Sequence, residues 1–208
     1  MKKSFVLLIG FSALLSACKG VQETFPPEGV DHLAMTVTVA FEVFAIGKDT
    51  VDLTGTVAVH RSGPQGTDGK TMVGELVGAA MRGKSKVFGE VIAMQSPIQR
   101  SPCEYTYKGP GNYEGYFDIN GWFWLPEHDL LVFSGEPVRV KGTATMIPPV
   151  GEKAVNIKKD IALLDFRRPS EKPIGVLTEA RGEIHEIVPL EKHRKRPETT
   201  VPALAKTK

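Results

Sequence analysis

The fold of this 208-residue chain is set by residues 33–43, which read Leu33-Ala34-Met35-Thr36-Val37-Thr38-Val39-Ala40-Phe41-Glu42-Val43. Apolar residues take every second position from Leu33 to Val43, and Thr36, Thr38 and Glu42 fall between them. Side chains alternate between the two faces of a β-strand, so this spacing predicts a long, half-buried strand. A second strand of the same kind follows, with Val51, Leu53, Val57 and Val59 on its inner face and Asp52, Thr54, Thr56 and His60 on its outer face.

Further strands are predicted along the chain as far as Val188. Residues 72–95 favour two strands with a break at 82–85, since Gly74 and Gly78 oppose the helix that the apolar spacing also allows. In total, about nine or ten strands with almost no helix predict an all-β fold, an antiparallel barrel or sandwich. The long strands have few prolines to protect their edges, which favours closure into a barrel.

The aromatic segment around Asn120-Gly121 allows two topologies. A two-residue hairpin at this dipeptide would put one set of apolar side chains on one face, namely Phe117, Ile119, Trp122 and Trp124. An unbroken strand would instead group Phe117, Ile119, Phe123 and Leu125. The sequence leaves both topologies open.

The first eighteen residues predict where the protein is located in the cell. Lys2 and Lys3 precede an apolar run over 5–15, which is the layout of a secretory signal peptide and is too short for a permanent membrane span. The run ends in Leu15-Ser16-Ala17-Cys18, which resembles the lipobox of bacterial lipoproteins. This resemblance implies cleavage after Ala17, attachment of diacylglycerol to the Cys18 thiol and acylation of the new N-terminus.

An acylated Cys18 would make the membrane a partner of the mature protein, since two or three acyl chains anchor a protein stably. Lys19 follows the cysteine. In bacteria with two membranes, the lipoprotein resemblance implies that Asp at this position would favour retention at the inner membrane. We therefore expect a protein of the cell envelope, at the periplasmic face of the outer membrane if the organism has two membranes.

Composition divides the chain into four parts. Residues 1–17 are the predicted signal peptide, and residues 18–30 are the lipidated N-terminus and a tether in which Pro26, Pro27 and Gly29 oppose regular structure. Residues 31–190 form the predicted β domain. Residues 191–208 form a basic tail without apolar period, which predicts disorder.

The charge balance argues against a nucleic-acid-binding protein, and the cysteine content argues against an intramolecular disulfide. The chain has 26 basic and 24 acidic residues, and loss of Lys2 and Lys3 with the leader would make the mature chain formally neutral. Such a chain lacks the overall basic charge typical of nucleic-acid-binding proteins. With Cys18 lipidated, Cys103 is the remaining cysteine, so an intramolecular disulfide is excluded and a buried apolar role is expected for it.

No catalytic or cofactor motif is present: the sequence lacks a Gly-x-Ser-x-Gly elbow, a His-Glu-x-x-His pair, a phosphate-binding glycine loop and a dinucleotide fingerprint. The candidate acid–base or metal pair is Glu183 and His185, which share one face of the last strand with Glu179 and Arg181. The same spacing of charged residues is also expected where a strand simply turns alternating charges toward solvent. No cofactor is therefore predicted.

The body of the chain, from about Leu53 to His185, also resembles an uncharacterised group of bacterial β-rich domains. The residues that carry this resemblance are Arg61-Ser62-Gly63-Pro64, Phe88-Gly89 with Val91, Leu125-Pro126-Glu127, and Ile147-Pro148-Pro149 followed by Gly151. They belong mostly to turns and packing positions. The resemblance thus implies a shared fold and no known activity.

Two functions remain open. The favoured one is a non-enzymatic, lipid-anchored binding or structural domain that takes an envelope protein, a glycan or an apolar ligand, through a barrel mouth or through aromatic side chains such as Trp122 and Trp124. The alternative is an enzyme or metal-binding protein that uses Glu183 and His185 inside a barrel. The direction in which the Glu183 face points separates the two hypotheses.

Overall fold

A computed structural model describes residues 25–169 and 171–189, and these residues form an all-β domain. Its twelve strands are β1 Gly29–Val43, β2 Gly47–Gln65, β3 Thr71–Ser85, β4 Gly89–Gln95, β5 Ser101–Gly109, β6 Asn112–Ile119, β7 Gly121–Leu125, β8 Leu130–Ser134, β9 Val138–Ala144, β10 Lys153–Asn156, β11 Ile161–Asp165 and β12 Gly175–Ile187. A short 3-10 turn, Pro126–His128, follows β7. The predicted all-β class is confirmed, and short strands such as β10 raise the strand number above the nine or ten expected.

The strands close into a ring with two alternative paths. Antiparallel pairing runs from β12 through β1 and β2 to β3. The first part of β3 then pairs with β5, and the ring continues through β6, β9 and β10 back to β12. The second part of β3 pairs with β4, and this path returns through β7, β8 and β11. Four long strands therefore carry two stacked half-sheets, the 5-6-9-10 half-sheet and the 4-7-8-11 half-sheet.

The alternation predicted for the first two strands is confirmed. The apolar positions Leu33, Val39, Phe41 and Val43 of β1 are buried, as are Val51, Leu53, Val57 and Val59 of β2. The positions between them face outward; for example, the Thr38 hydroxyl donates to Asp52 Oδ1 over 2.6 Å on the outer surface. β1 begins at Gly29, two residues before the predicted start of the domain.

The predicted break at 82–85 is wrong, because β3 runs without interruption to Ser85. Gly83 is needed there for close packing rather than for a turn. A Cβ atom on this residue would lie 2.3 Å from the carbonyl oxygen of Asp52 on the neighbouring strand. The turn instead comes at residues 86–88, where the backbone N–H groups of Val87 and Phe88 donate to Ser85 Oγ.

Asn120 carries the chain from one half-sheet to the other. β6 ends just before it and pairs with β5 and β9, whereas β7 begins just after it and pairs with β4 and β8, so no hairpin forms. Asn120 is buried: its backbone N–H donates to Ser101 Oγ and its side-chain amide to the Arg100 carbonyl. The inward face nevertheless continues across it as in an unbroken strand, from Ile119 to Phe123.

The interior of the 4-7-8-11 half-sheet is densely filled. Phe41 stacks on Phe88 and on Phe123, with ring centroids 4.5 and 5.5 Å apart. Leu125, Val132, Ile161 and Leu163 are fully buried around these rings. This half of the ring is a solid hydrophobic core. No helix long and apolar enough to cross a membrane occurs in the part of the chain that the structure describes.

Candidate functional site

The other half of the ring, under the 5-6-9-10 half-sheet, is hollow. A cavity of about 160 Å³ lies inside it. Its walls are mainly apolar side chains from ten strands, including Leu33, Met35, Val37, Leu53, Phe117 and Val140. Phe123, at the edge of the filled core, also lines it. Interiors are normally packed without voids of this size, so the cavity is a feature of this fold that needs an explanation.

The cavity exists because one wall lacks side chains. Gly115 on β6 pairs with Gly142 on β9, and Ala154 on β10 pairs with Gly182 on β12. Gly142 also adjoins Ala154, because a Cβ on Gly142 would lie 3.4 Å from the Ala154 Cα. Four neighbouring strands thus present three glycines and one alanine at one level. We call Gly115, Gly142, Ala154 and Gly182 the small-residue row.

Large side chains close both ends of this row. Tyr105 pairs with Gly115, and a Cβ on Gly115 would lie 2.2 Å from the Tyr105 ring, so the tyrosine occupies the space that the glycine leaves. Val37 pairs with Gly182 at the other end. Burial raises the pKa of the Tyr105 hydroxyl, which therefore stays neutral over the physiological range.

The cavity reaches the surface between β9 and β10. These strands share two ladder pairs, Val155 with Lys141 and Asn156 with Val140; Gly142 still lies against Ala154, and a gap in the backbone ladder follows. The residues that border both the gap and the cavity are Thr143, Pro149, Glu152 and Lys153. Thr143 and Lys153 are exposed, so the wall of the cavity reaches the molecular surface at these residues.

Phe25, the first residue that the structure describes, packs against the hollow half. Its side chain is 3% exposed and belongs to a small cluster with Met72 and Tyr105. Its ring centroid lies 5.4 Å from that of Tyr113. Tyr105 also lines the cavity, so the segment predicted as a tether packs against a residue of the cavity wall.

The predicted acid–base pair lies outside the ring. Glu183 is partly exposed, and its carboxylate is 3.6 Å from the Lys153 ammonium. His185 is exposed, with Nε2 2.8 Å from Thr36 Oγ1. Glu183 and His185 therefore form part of a solvated ladder rather than an interior site. Among residues 25–169 and 171–189, no group of three His, Cys, Asp or Glu side chains is placed to hold a metal ion.

The two tryptophans also lie away from the cavity. Trp122 and Trp124 project from the outer face of β7, and neither lines the interior space. Trp122 packs against Phe133 and Phe166, with ring centroids 6.4 and 4.7 Å away. These side chains belong to an exterior aromatic surface.

Cys103 is buried, as the sequence predicts. Burial raises the pKa of its thiol to about 12, and the nearby charge of Glu75 adds to the rise. A thiol with this pKa is protonated at neutral pH and is a poor nucleophile. Cys18, the predicted lipidation site, lies outside the described residues.

Comparison with known proteins places the chain in a family. A family model matches residues 9–194. The chain belongs to a family of unknown function, DUF6073. No curated protein sequence matches this DUF6073 chain.

A solved structure shares the fold. The structure of DynF, from the dynemicin biosynthesis pathway of Micromonospora chersina, is similar to the chain with a TM-score of 0.73. The similarity covers 82% of this chain and 86% of DynF at 24% sequence identity. At this level of identity the comparison concerns the fold alone.

The small-residue row is not predicted by the sequence patterns above. Each of its members stands at an inward position of a strand where a bulky apolar residue would be usual. The signal in the sequence is a Gly or Ala at such a position in four separate strands, namely Gly115, Gly142, Ala154 and Gly182. It becomes visible once the register between these strands is known.

Proposed function

We propose that the protein is a lipid-anchored cell-envelope lipoprotein whose barrel binds a small apolar molecule. The observation that carries the proposal is the cavity beside the small-residue row, which has an apolar lining and a wall that reaches the molecular surface. Filling such a space with an apolar group removes hydrocarbon surface from water, and the lining side chains gain contacts that an empty cavity denies them.

The size of the cavity limits the ligand. A protein cavity of about 150 Å³ lined by apolar side chains stays dry and takes up benzene. At about 160 Å³, the space in this barrel suits an apolar group of similar size, such as one aromatic ring or a short branched hydrocarbon. A larger ligand would extend through the gap between β9 and β10, where Glu152 and Lys153 border the cavity.

The proposed anchor would place this site close to the lipid. Cys18 lies seven residues before Phe25, so the linking segment spans at most about 24 Å when fully extended. Phe25 packs against the hollow half. An acylated Cys18 would therefore hold the hollow half, rather than the filled half, next to the membrane, where apolar molecules accumulate.

Thermal unfolding in the presence of benzene tests the binding site. Benzene should raise the Tm of the wild-type protein, because a ligand that binds the folded state alone stabilises it by RT ln(1 + [L]/Kd). Ala154→Leu adds three carbon atoms to the small-residue row and should abolish the rise. Val155→Leu is the matched control, since Val155 is the next residue along β10 and its side chain is 50% exposed on the outer face.

The control should respond to benzene as the wild type does. An equal rise in Tm for the Ala154→Leu and Val155→Leu variants would contradict binding in the cavity. No rise in the wild type at any benzene concentration that leaves the protein soluble would contradict the proposed function itself.

A further inference from the structure

The connection between β9 and β10 lies at the part of the ring with the shortest ladders. Around the cavity, β10 pairs with β9 through Val155 and Asn156 and with β12 through residues 153–155. By contrast, β6 pairs with β9 from Tyr113 to Ile119. Residues 145–152 join β9 to β10 and follow the gap between these two strands. We call residues 145–152 the β9–β10 loop.

The β9–β10 loop supplies part of the cavity wall. Pro149 and Glu152 line the cavity. Val150 is partly buried and packs on the main hydrophobic core, and Ile147 packs on the small cluster that contains Phe25. Connecting segments usually run over the surface of a protein. This one instead places apolar side chains against the interior on both sides of the gap.

Hydrogen bonds within the β9–β10 loop keep it compact. The Val150 N–H donates to the Pro148 carbonyl over 2.9 Å, and the Glu152 N–H donates to the Pro149 carbonyl over 3.4 Å. The Thr145 hydroxyl donates to the Glu152 carboxylate over 3.0 Å and joins the two ends of the loop. These bonds would persist if the loop moved away from the barrel as a unit.

The contacts of the loop with the rest of the ring are weaker than a strand ladder. An isolated bridge joins Val150 to Ile184 on β12, and the Gly151 N–H donates to the Ile184 carbonyl over 2.7 Å. The apolar contacts of Val150 and Ile147 complete the attachment. Segments with few buried contacts open at a lower free energy than the strands of a core. We therefore expect the loop to open while the barrel stays folded.

A ligand needs such an opening to reach the cavity. Next to the gap the strands touch, since a Cβ on Gly142 would lie 3.4 Å from the Ala154 Cα. A second break in the ladders, where β3 passes from β5 to β4, is filled by Gln95, whose side-chain amide donates to the Leu76 carbonyl. Elsewhere, entry would separate long ladders and leave their backbone groups unpaired. Displacing the β9–β10 loop disrupts the fewest of these bonds.

We propose that the β9–β10 loop is a gate, which moves away from Ile184 to admit an apolar ligand and then closes over it. The closed position is favoured because opening exposes Val150 and Ile147 to water. The inference rests on the proposed function, and it names the route by which a ligand enters the proposed site.

A cysteine inside the cavity measures the opening whether or not a ligand binds. Val57→Cys places a thiol on the cavity lining, on a strand that is paired on both sides. Methyl methanethiosulfonate is a small reagent that converts an accessible thiol into a methyl disulfide. Peptide mass spectrometry on the full chain in detergent gives the labelling rate and separates this thiol from Cys18 and Cys103.

Adding Val150→Ala should raise the labelling rate of Val57→Cys by about fivefold or more, because it removes two methyl groups that hold the loop closed. Ile147→Ala should act in the same direction. The matched control is Val132→Ala, which removes the same two groups from a fully buried position in the filled half and costs at least as much stability. This control should leave the rate within about twofold of the parent.

Equal acceleration by Val150→Ala and Val132→Ala would mean that labelling follows global unfolding, and it would overturn the gate. So would an unchanged rate in both loop variants. Benzene distinguishes this failure from that of the proposed function, since it should slow labelling by occupying the cavity. Acceleration by Val150→Ala without protection by benzene would support the gate and contradict the binding site. Protection by benzene with equal rates in Val150→Ala and Val132→Ala would support the binding site and contradict the gate.

Discussion

The Phe25→Ala substitution tests whether the segment before β1 merely links the barrel to an anchor or is itself packed as part of the barrel. Phe25 lies in the segment that the sequence predicts to be a tether, yet its side chain is 3% exposed. It packs with Met72 and Tyr105 and lies 5.4 Å from the Tyr113 ring. The substitution therefore removes a buried aromatic ring that packs against Tyr105, a residue of the cavity wall.

The expected loss of stability is about 1–3 kcal/mol, below the 3–5 kcal/mol that Phe→Ala changes cost in a closed core. The difference arises because residues 25–28 precede β1, whose ladder pairing begins at Gly29. It is held by Arg61, which donates to the Pro27 carbonyl, and by an exposed pair of Glu28 with His60 at 3.4 Å. An exposed pair contributes less than about 1 kcal/mol. After the substitution, the segment can detach from the barrel, so no cavity has to remain. The loss in the free energy of unfolding is then limited to the free energy with which the segment packs on the barrel.

Phe41→Ala is the comparison within the same chain. Phe41 is 2% exposed in the middle of the barrel wall and stacks on Phe88 and Phe123. β1 is paired on both sides at this position, so the backbone cannot withdraw. This substitution should cost the full 3–5 kcal/mol.

Urea unfolding followed by tryptophan fluorescence measures both variants. Trp122 and Trp124 lie on the 4-7-8-11 half-sheet, far from Phe25, so their emission follows global unfolding rather than release of the segment. Hydrogen exchange at the backbone amide of Glu28 follows the release itself and should be faster in Phe25→Ala; Pro26 and Pro27 have no amide hydrogen. A loss equal to that of Phe41→Ala would refute the argument that the segment can undock. A loss below about 0.5 kcal/mol, the usual range of surface substitutions, would refute the packing of Phe25 as part of the barrel.

Three further outcomes are expected. Cys18→Ser should abolish metabolic labelling of the protein with a fatty acid, and label in the variant at the wild-type level would contradict the lipobox interpretation. Replacing Glu183 and His185 with Gln should change the free energy of unfolding by no more than about 0.5 kcal/mol each, and zinc should not raise the Tm of the wild type, since both side chains lie on the solvated outer face. Asp49→Asn should cost about 0.5–1 kcal/mol at pH 7, because the hydrogen bond from Ser85 lowers the pKa of this carboxyl. A lowered folded-state pKa stabilises the protein above the unfolded Asp pKa of about 3.9, so the difference from wild type should shrink as the pH falls below about 4.

The strand faces could be predicted because they depend on neighbours in sequence. The alternation from Leu33 to Val43 fixes which side chains point inward, whatever the partner strands are. Gly83 and Asn120-Gly121 gave misleading signals, because their roles depend on contacts with residues that are distant in sequence. Gly83 serves the close approach of β2, and Asn120 is fixed by Ser101 and Arg100, contacts that no local pattern contains.

The cavity could not be predicted, because it depends on the lateral register between strands. Gly115 and Gly142 become neighbours through the pairing of β6 with β9, and Ala154 meets Gly182 through that of β10 with β12. A glycine in a strand usually indicates a bulge or close packing. Here the small residues of four strands leave the cavity together, and no single strand reveals it.

The two half-sheets differ in the side chains on their two faces, which confines the small-residue row to one of them. The 5-6-9-10 half-sheet has small residues inside and charged residues outside, as Gly142 and Arg139 on β9 illustrate. The 4-7-8-11 half-sheet has bulky residues on both faces, as Phe123 and Trp124 on β7 illustrate. The second half-sheet is packed inside, whereas the first leaves room for a ligand beside the small-residue row. Changes at distant sites without shared partners usually add. Ala154→Leu should therefore remove benzene binding and leave the fluorescence of Trp122 and Trp124, on the 4-7-8-11 half-sheet, unchanged; a shift in that emission would mean that the two half-sheets are coupled.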